Sequence, residues 1–512
     1  MMKLKTYMFK NKLNIILKYL IIFLFAILFY NFYNLNSIRI TSLNFNIFSS
    51  RINMRDFNIM EMLYYPLLET IFLAISSTIF GIFTTIFILP IQINILFNKK
   101  IFPKIFSSIF SIARTIPSLI IAAILVSLFS VGNFSGFLCL YIISVIMSSK
   151  ILKEIAEETN EKNLKTLYSL GFSKFKIYRI ILKENLKPNI MSVFFLVLES
   201  NIRGASILGL VGAGGIGRIL WRELNYLRYS SVILIICILI VIIALIDLIS
   251  YFFRKYAFIF SENRYSKVFY FVIFLINIIL FFKIINIDLD KLHKGISYLK
   301  IMLIGIVSID YGYISKSIFF LTISIIISFT STFVASIIVV FLSYFYFSRF
   351  FNKYFTFCIK IMVNIFRTIP PVISSIFFFC LLGPGYLSSF FALLIYTVGV
   401  MTKMFGEIIE NKENNVLLYL KSLGISDFLC YKNVLFKEYF PEFISIMLYR
   451  FEMNIKNSTI LGMVGAGGIG QLLSNNIEFR NWSRVSIILI LLSLTVIFIE
   501  NISYYVRIKL KK

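Results

Sequence analysis

The chemistry this sequence offers lies in ionisable residues set inside long apolar stretches. Arg114 and Arg367 each stand three residues before a proline, in Arg114-Thr-Ile-Pro117 and Arg367-Thr-Ile-Pro370. Glu199 and Arg203 are one helical turn apart in another apolar run, and Glu452 and Lys456 repeat that spacing. A charge at bilayer depth costs at least about 2.5 kcal/mol on insertion scales, so it must face a partner or a wet cavity. Two uses follow, and they can coexist. The i,i+4 pairs can hold a helix bundle together. Alternatively, Arg114, Arg203, Arg367 and Lys456, with Glu199 and Glu452 beside them, form a positive stretch of a path through which an anion passes. Pro117 and Pro370 are expected to kink their helices; with a span that starts near Pro103, Arg114 is 114 − 103 = 11 residues in. At about 1.5 Å per residue that is about 16 Å, half of a roughly 30 Å hydrocarbon core.

A second cluster is glycine: Gly212-Ala-Gly214-Gly215-Ile-Gly217, recurring as Gly465-Ala-Gly467-Gly468-Ile-Gly470. The first run satisfies the dinucleotide pattern G-x-G-x-x-G, but that pattern needs a preceding strand and a βαβ unit. Span-length apolar segments flank it instead. Glycine at the end of a span lets a helix break or two backbones approach closely, so the runs read as a gate across a path or as helix packing. Other chemistry is excluded. His293 is the sole histidine, the five cysteines form no C-x-x-C, and no Walker motif is present. Neither a metal site, a resident cofactor nor an ATPase centre is expected, and the chain is not read as an enzyme.

The elements that hold these residues are membrane spans. Of 512 residues 59% are hydrophobic and 15% charged, against about 25% charged in an ordinary soluble domain. The excess comes in runs near the roughly 20 residues a transmembrane helix needs, and lipid leaves an apolar span no choice but helix. The net charge of +27 falls between the runs and reads as a topology signal rather than nucleic-acid binding. An N-terminal apolar run to Tyr30 lacks a small-residue cleavage site and reads as a retained first span.

One unit is written twice. Arg114/Arg367, Gly171/Gly424, Pro188/Pro441, Glu199/Glu452 and Gly212/Gly465 all differ by 253 (367 − 114 = 253). The units are 1–260 and 261–512. The fold class is an all-α polytopic membrane protein with about six spans per unit, about twelve in all. They are expected near 13–33, 66–97, 105–130, 134–150, 188–210 and 230–252, then 268–286, 317–347, 357–382, 386–402, 441–463 and 485–506. With both termini cytoplasmic, about 32 Lys and Arg fall inside and about 12 outside. The longest inner loops, 151–187 and 404–440, carry mixed charge and read as docking surfaces for a cytoplasmic partner or as solvated connectors.

The stretch Glu199-Ser-Asn-Ile-Arg203 through Gly217, and its copy from Glu452 to Gly470, closely resembles the signature of phosphonate permeases of ATP-binding-cassette importers. The likeness spans about Leu67–Arg254 and Phe320–Arg507. It implies two tandem type I importer permease units in a bacterial cytoplasmic membrane. Such a permease works with cytoplasmic ATP-binding subunits, two copies here, and an extracytoplasmic solute-binding protein. The solute would be phosphonate or a related oxyanion such as phosphite, with another small solute (an amino acid or osmolyte) or a membrane scaffold or channel as alternatives. It also places the ATPase-coupling turns at Gly171 and Gly424. The family's E-A-A triplet before that glycine is absent: Lys165, Thr166 and Leu167 stand there in the first copy and Leu418, Tyr419 and Leu420 in the second.

Overall fold

The computed structural model describes residues 54–92, 101–157, 169–181, 186–261, 275, 277–281, 283–285, 289–347, 351–411, 424–432 and 436–511. The expected span 13–33 lies outside these residues, as does most of 268–286. Every regular element among the described residues is helical. The first half contains α1 (Met54–Gln92), α2 (Ile101–Thr115), α3 (Ser118–Phe129), α4 (Asn133–Glu157), α5 (Lys174–Ile181), α6 (Lys187–Leu208), α7 (Ile216–Asn225) and α8 (Tyr229–Ser261). After α9 (Leu289–Val307) the series repeats as α10 (Ile314–Tyr346), α11 (Lys353–Thr368), α12 (Pro371–Leu382), α13 (Tyr386–Asn411), α14 (Asp427–Cys430), α15 (Phe440–Leu461), α16 (Ile469–Glu478) and α17 (Trp482–Lys511).

Among the described residues, 7 helices are long and apolar enough to cross a membrane, and up to 9 if each of two bent pairs is one span. The twelve expected are thus not all present in this set. Helix α15 falls outside the count although it occupies the expected place, because Glu442, Arg450, Glu452 and Lys456 interrupt its apolar sequence. Helix α9 was not expected from the sequence. It lies against α3 and α17, with Gly295 against Phe129 and Gly305 against Trp482.

The bent pairs correct one expectation. Segments 105–130 and 357–382 are not single straight helices: α2 meets α3 at 90° and α11 meets α12 at 89°. Proline has no N–H to continue a helix, and the residue before it is pushed out of the α region. Ile369 accordingly sits at φ −74, ψ 114. Arg114 sits at the end of α2, against the bend, with the helix continuous from Ile101 to Thr115. Pro371, present only in the second half, leaves the bend unchanged because it occupies the first position of α12, where no N–H is needed.

Packing repeats with the sequence. Helix α1 packs on α4 and α6 as α10 packs on α13 and α15, and α6 packs on α8 as α15 packs on α17. The halves share core. One cluster joins Ile216 and Ile235 to Ile326, Ile376 and Leu461, and another joins Ile120 and Ala123 to Leu473, Val485 and Ile488. Across the halves α8 touches α11 and α17 touches α2.

Candidate translocation site

Those two crossings carry the charged residues. Arg114 at the end of α2 reaches Glu500 on α17 at 3.2 Å. Arg367 at the end of α11 reaches Asp247 on α8 at 3.7 Å. The partners are themselves repeat equivalents (500 − 247 = 253). Each half therefore lends an arginine to the last helix of the other. Asp247 also receives Arg203 at 3.4 Å, and Arg203 bonds Glu199 at 2.6 Å on its own helix. Lys456 pairs with Glu452 at 3.2 Å. All four expected cations thus hold a carboxylate. Partial burial strengthens each pair and makes a stranded partner costly. A carboxylate on a guanidinium is also the contact that another oxyanion can replace, since the planar fork accepts either. Asp247 Oδ1 and Arg367 Nε are buried with no hydrogen-bond partner, so the Asp247 cluster is not saturated.

The glycine runs are chain reversals. Gly212, Gly214 and Gly215, and likewise Gly465, Gly467 and Gly468, have φ between 70 and 93, a region that favours glycine. Gly217 and Gly470 have ordinary φ but lie on the backbone of the preceding helix: a Cβ there would overlap the carbonyl oxygens of Ser206 and Thr459. The reversal returns α6 into α7 and α15 into α16. Thr70 and Ser324 hydroxyls accept from Ile216 N and Ile469 N at 2.9 and 3.0 Å and pin the start of each returning helix. No strand precedes either run, which removes the dinucleotide fold. The two reversals approach one cavity of about 450 Å³ between the halves, lined by Leu210, Val211 and Gly212 from one and Met463, Val464 and Glu478 from the other.

At the opposite ends of α6 and α15, Gly171 and Gly424 adopt φ 77 and 75, with nothing within 4 Å of an added Cβ. Lys165–Leu167 and Leu418–Leu420 lie outside the described residues. Just beyond each glycine a tyrosine hydroxyl donates to a span backbone: Tyr178 to Ile86 O at 2.5 Å and Tyr431 to Val340 O at 2.8 Å. Burial pushes both phenols up to about 12.

Sequence reasoning missed several of these groups. Asp247 and Glu500 carried a signal, a lone acid in an apolar run at the repeat spacing, which went unread. Asn201 and Asn454 form the polar hub of each half. Asn201 Nδ2 donates to Thr78 and Ser144 at 2.8 and 2.6 Å, and Asn454 Nδ2 to Thr332 and Thr397 at 2.9 and 2.8 Å. Arg450, buried over the Tyr396 ring at 4.9 Å, has no counterpart, for Val197 stands at its place.

Comparison with known proteins agrees with this architecture. Residues 77–257 and 343–511 each match the family described as binding-protein-dependent transport system inner membrane component. The chain belongs to this family. As such a component it is a non-catalytic transport protein, and its permease unit is duplicated in tandem. It is 24% identical over 426 residues, 78% of this chain and 76% of the relative, to a phosphate-import permease protein, PhnE, of Mycolicibacterium smegmatis. It is 29% identical over 148 residues, 29% of this chain and 54% of the relative, to the phosphite transport system permease protein PtxC of Stutzerimonas stutzeri. It is 32% identical over 116 residues, 23% of this chain and 95% of the relative, to a putative cryptic phosphonate transport system permease protein, PhnE2, of Escherichia coli. These relatives place the inner membrane component in the phosphonate and phosphite branch. No solved structure matches it.

Proposed function

We propose that this chain supplies the whole transmembrane path of an ATP-driven importer for phosphonate, phosphite or a similar oxyanion. The observation that carries the reading is the crossed pair Arg114–Glu500 and Arg367–Asp247, taken with likeness across both halves to a permease whose name states phosphate import. An entering oxyanion would take the place of Asp247 or Glu500 on a guanidinium and free the halves to part without a bare arginine; the displaced Asp247 keeps Arg203, and the displaced Glu500, partly exposed, turns to water. Units 1–260 and 261–512 would each carry six spans, with each bent pair counted as one span. Both termini would be cytoplasmic in a bacterial cell membrane. Two ATP-binding subunits would dock one each on the turns at Gly171 and Gly424, and a solute-binding protein would deliver its load to the cavity between the glycine reversals. Neutralising Arg114, Arg203, Arg367 or Lys456 to Gln should then lower uptake without loss of insertion.

A second reading, a small zwitterion such as an amino acid, draws support from the pairing of every one of these cations with a carboxylate. The test is ATP-dependent uptake into proteoliposomes that hold the chain, its ATPase and its binding protein. The oxyanion reading expects labelled phosphite or methylphosphonate to accumulate and amino acids not to compete. Accumulation of an amino acid with no phosphite uptake would overturn it.

A further inference from the structure

The halves part company beside Arg114. In the first half a cavity of about 220 Å³ opens where the ends of α1, α2 and α4 meet, with Gln92, Ser107, Ser111, Arg114, Lys150 and Lys153 in its lining. Among the described residues its lining includes the carboxylate of Glu154, which lies 3.7 Å from Lys150. Gln92 is 2% exposed, and its Nε2 has no hydrogen-bond partner among the described residues. Lys153 Nζ donates to Ser107 Oγ at 3.1 Å. Donors from three helices thus converge on a space several times the roughly 30 Å³ of a water molecule.

The second half fills the same place. Its α10 runs one residue out of step with α1 (340 − 86 = 254 for the two carbonyls that accept the tyrosines). Tyr346 therefore replaces Gln92, while Lys360 and Gly406 replace Ser107 and Lys153. The Tyr346 ring lies against Gly406, where a Cβ would overlap it. Lys360 Nζ sits 4.9 Å from the ring centroid and bonds Glu410 at 2.8 Å. A filled counterpart shows that this packing does not itself require a donor-rich space.

We propose that the first-half cavity binds a tetrahedral phosphate group, and that this ligand competes with Glu500 for Arg114. Three cations, a buried amide donor and hydroxyls arranged around a compact space suit a small oxyanion and repel a metal ion. The inference goes beyond the transport path and shares only Arg114 with it. The phosphate group could be free orthophosphate or a lipid headgroup.

The test is equilibrium binding of radiolabelled orthophosphate to the full chain in nanodiscs, made of phosphatidylcholine alone or with phosphatidylglycerol added. One phosphate per chain is expected in phosphatidylcholine. Gln92→Leu, Ser111→Ala and Lys153→Gln should each weaken it, the lysine change by about tenfold, equivalent to one lost charge-assisted contact. Gln92→Tyr with Lys153→Gly, which installs the second-half residues, should abolish it, and Thr402→Ala, at the second-half counterpart of the lining residue Ser149 (402 − 149 = 253), should leave it unchanged. Competition by phosphatidylglycerol assigns the site to a headgroup; no competition assigns it to free phosphate. Absence of saturable binding in phosphatidylcholine, or affinity unmoved in folded Gln92→Leu, Ser111→Ala and Lys153→Gln proteins, overturns the proposal. Phosphate binding with no phosphite uptake would instead sink the transport reading and leave this site standing.

Discussion

The two halves agree where they exchange ion pairs or must turn the chain, and differ in the charges set beside those places. The crossed arginines, the asparagine hubs, the glycine reversals and the tyrosine contacts all occur twice. Beside them, Arg218 and Arg222 on α7 correspond to Gln471 and Asn475 on α16, and buried Glu223 corresponds to Asn476. Glu223 holds Arg222 and Arg228 at 3.0 and 3.5 Å, whereas Asn476 donates to Tyr313 and Leu472 O. Duplication has kept the turns, the hubs and the crossed pairs and let neighbouring charges change, the buried Glu223 and Arg450 among them. A position that is the same in both halves is therefore expected to serve the bundle, and a position that differs is expected to serve one face of it.

The glycine reversals give the hardest test. Gly217→Ala or Gly470→Ala forces a Cβ into a backbone carbonyl and should cost about 3 kcal/mol, seen as lost monodisperse protein and a lower melting temperature, alike in both halves. Gly171→Ala and Gly424→Ala meet no atom and should cost only about 1 kcal/mol of left-handed strain. Gly171→Val or Gly424→Val should uncouple ATP hydrolysis from uptake while insertion persists. A reversal that tolerates alanine in one half alone would break the equivalence.

The polar hubs come next. Asn201→Ala and Asn454→Ala should each destabilise by about 1–2 kcal/mol, the range for interhelical hydrogen bonds in membranes, measured by thermal unfolding in detergent. The tyrosines should give the smallest effect: Tyr178→Phe and Tyr431→Phe remove one buried hydrogen bond, about 1 kcal/mol. Tyr431 should cost more, because it also bonds Ser343 at 2.6 Å. With the phenols raised to about 12, the folded state holds their protons more tightly than the unfolded chain. Their stabilisation is full below the ordinary tyrosine value of about 10 and fades as pH climbs toward 12. The phenylalanine variants should lack that alkaline loss.

The repeat was legible in the sequence because its marks are glycines, prolines and charges at fixed spacing, which packing cannot disguise. The spans were legible as apolar runs and the breaks at Pro117 and Pro370 as kinks, but the right angle of those breaks was not. A pre-proline residue permits a kink or a right-angle break, and neighbouring helices decide between them. The partners of Arg114 and Arg367 were hidden for another reason. They lie 386 and 120 residues away (500 − 114 = 386; 367 − 247 = 120), across an interface that no local period reports. The pairs within one helix, Glu199 with Arg203 and Glu452 with Lys456, were readable from i,i+4 spacing alone.

The exchange of ion pairs between halves is tested most directly by charge reversal with uptake as the readout. Arg114→Glu and Glu500→Arg should each abolish ATP-dependent uptake at normal membrane abundance, and the double variant should recover a substantial part of it. Recovery would show that the two residues act on each other across the halves. A double variant as inactive as either single change, at equal abundance, would contradict the exchange.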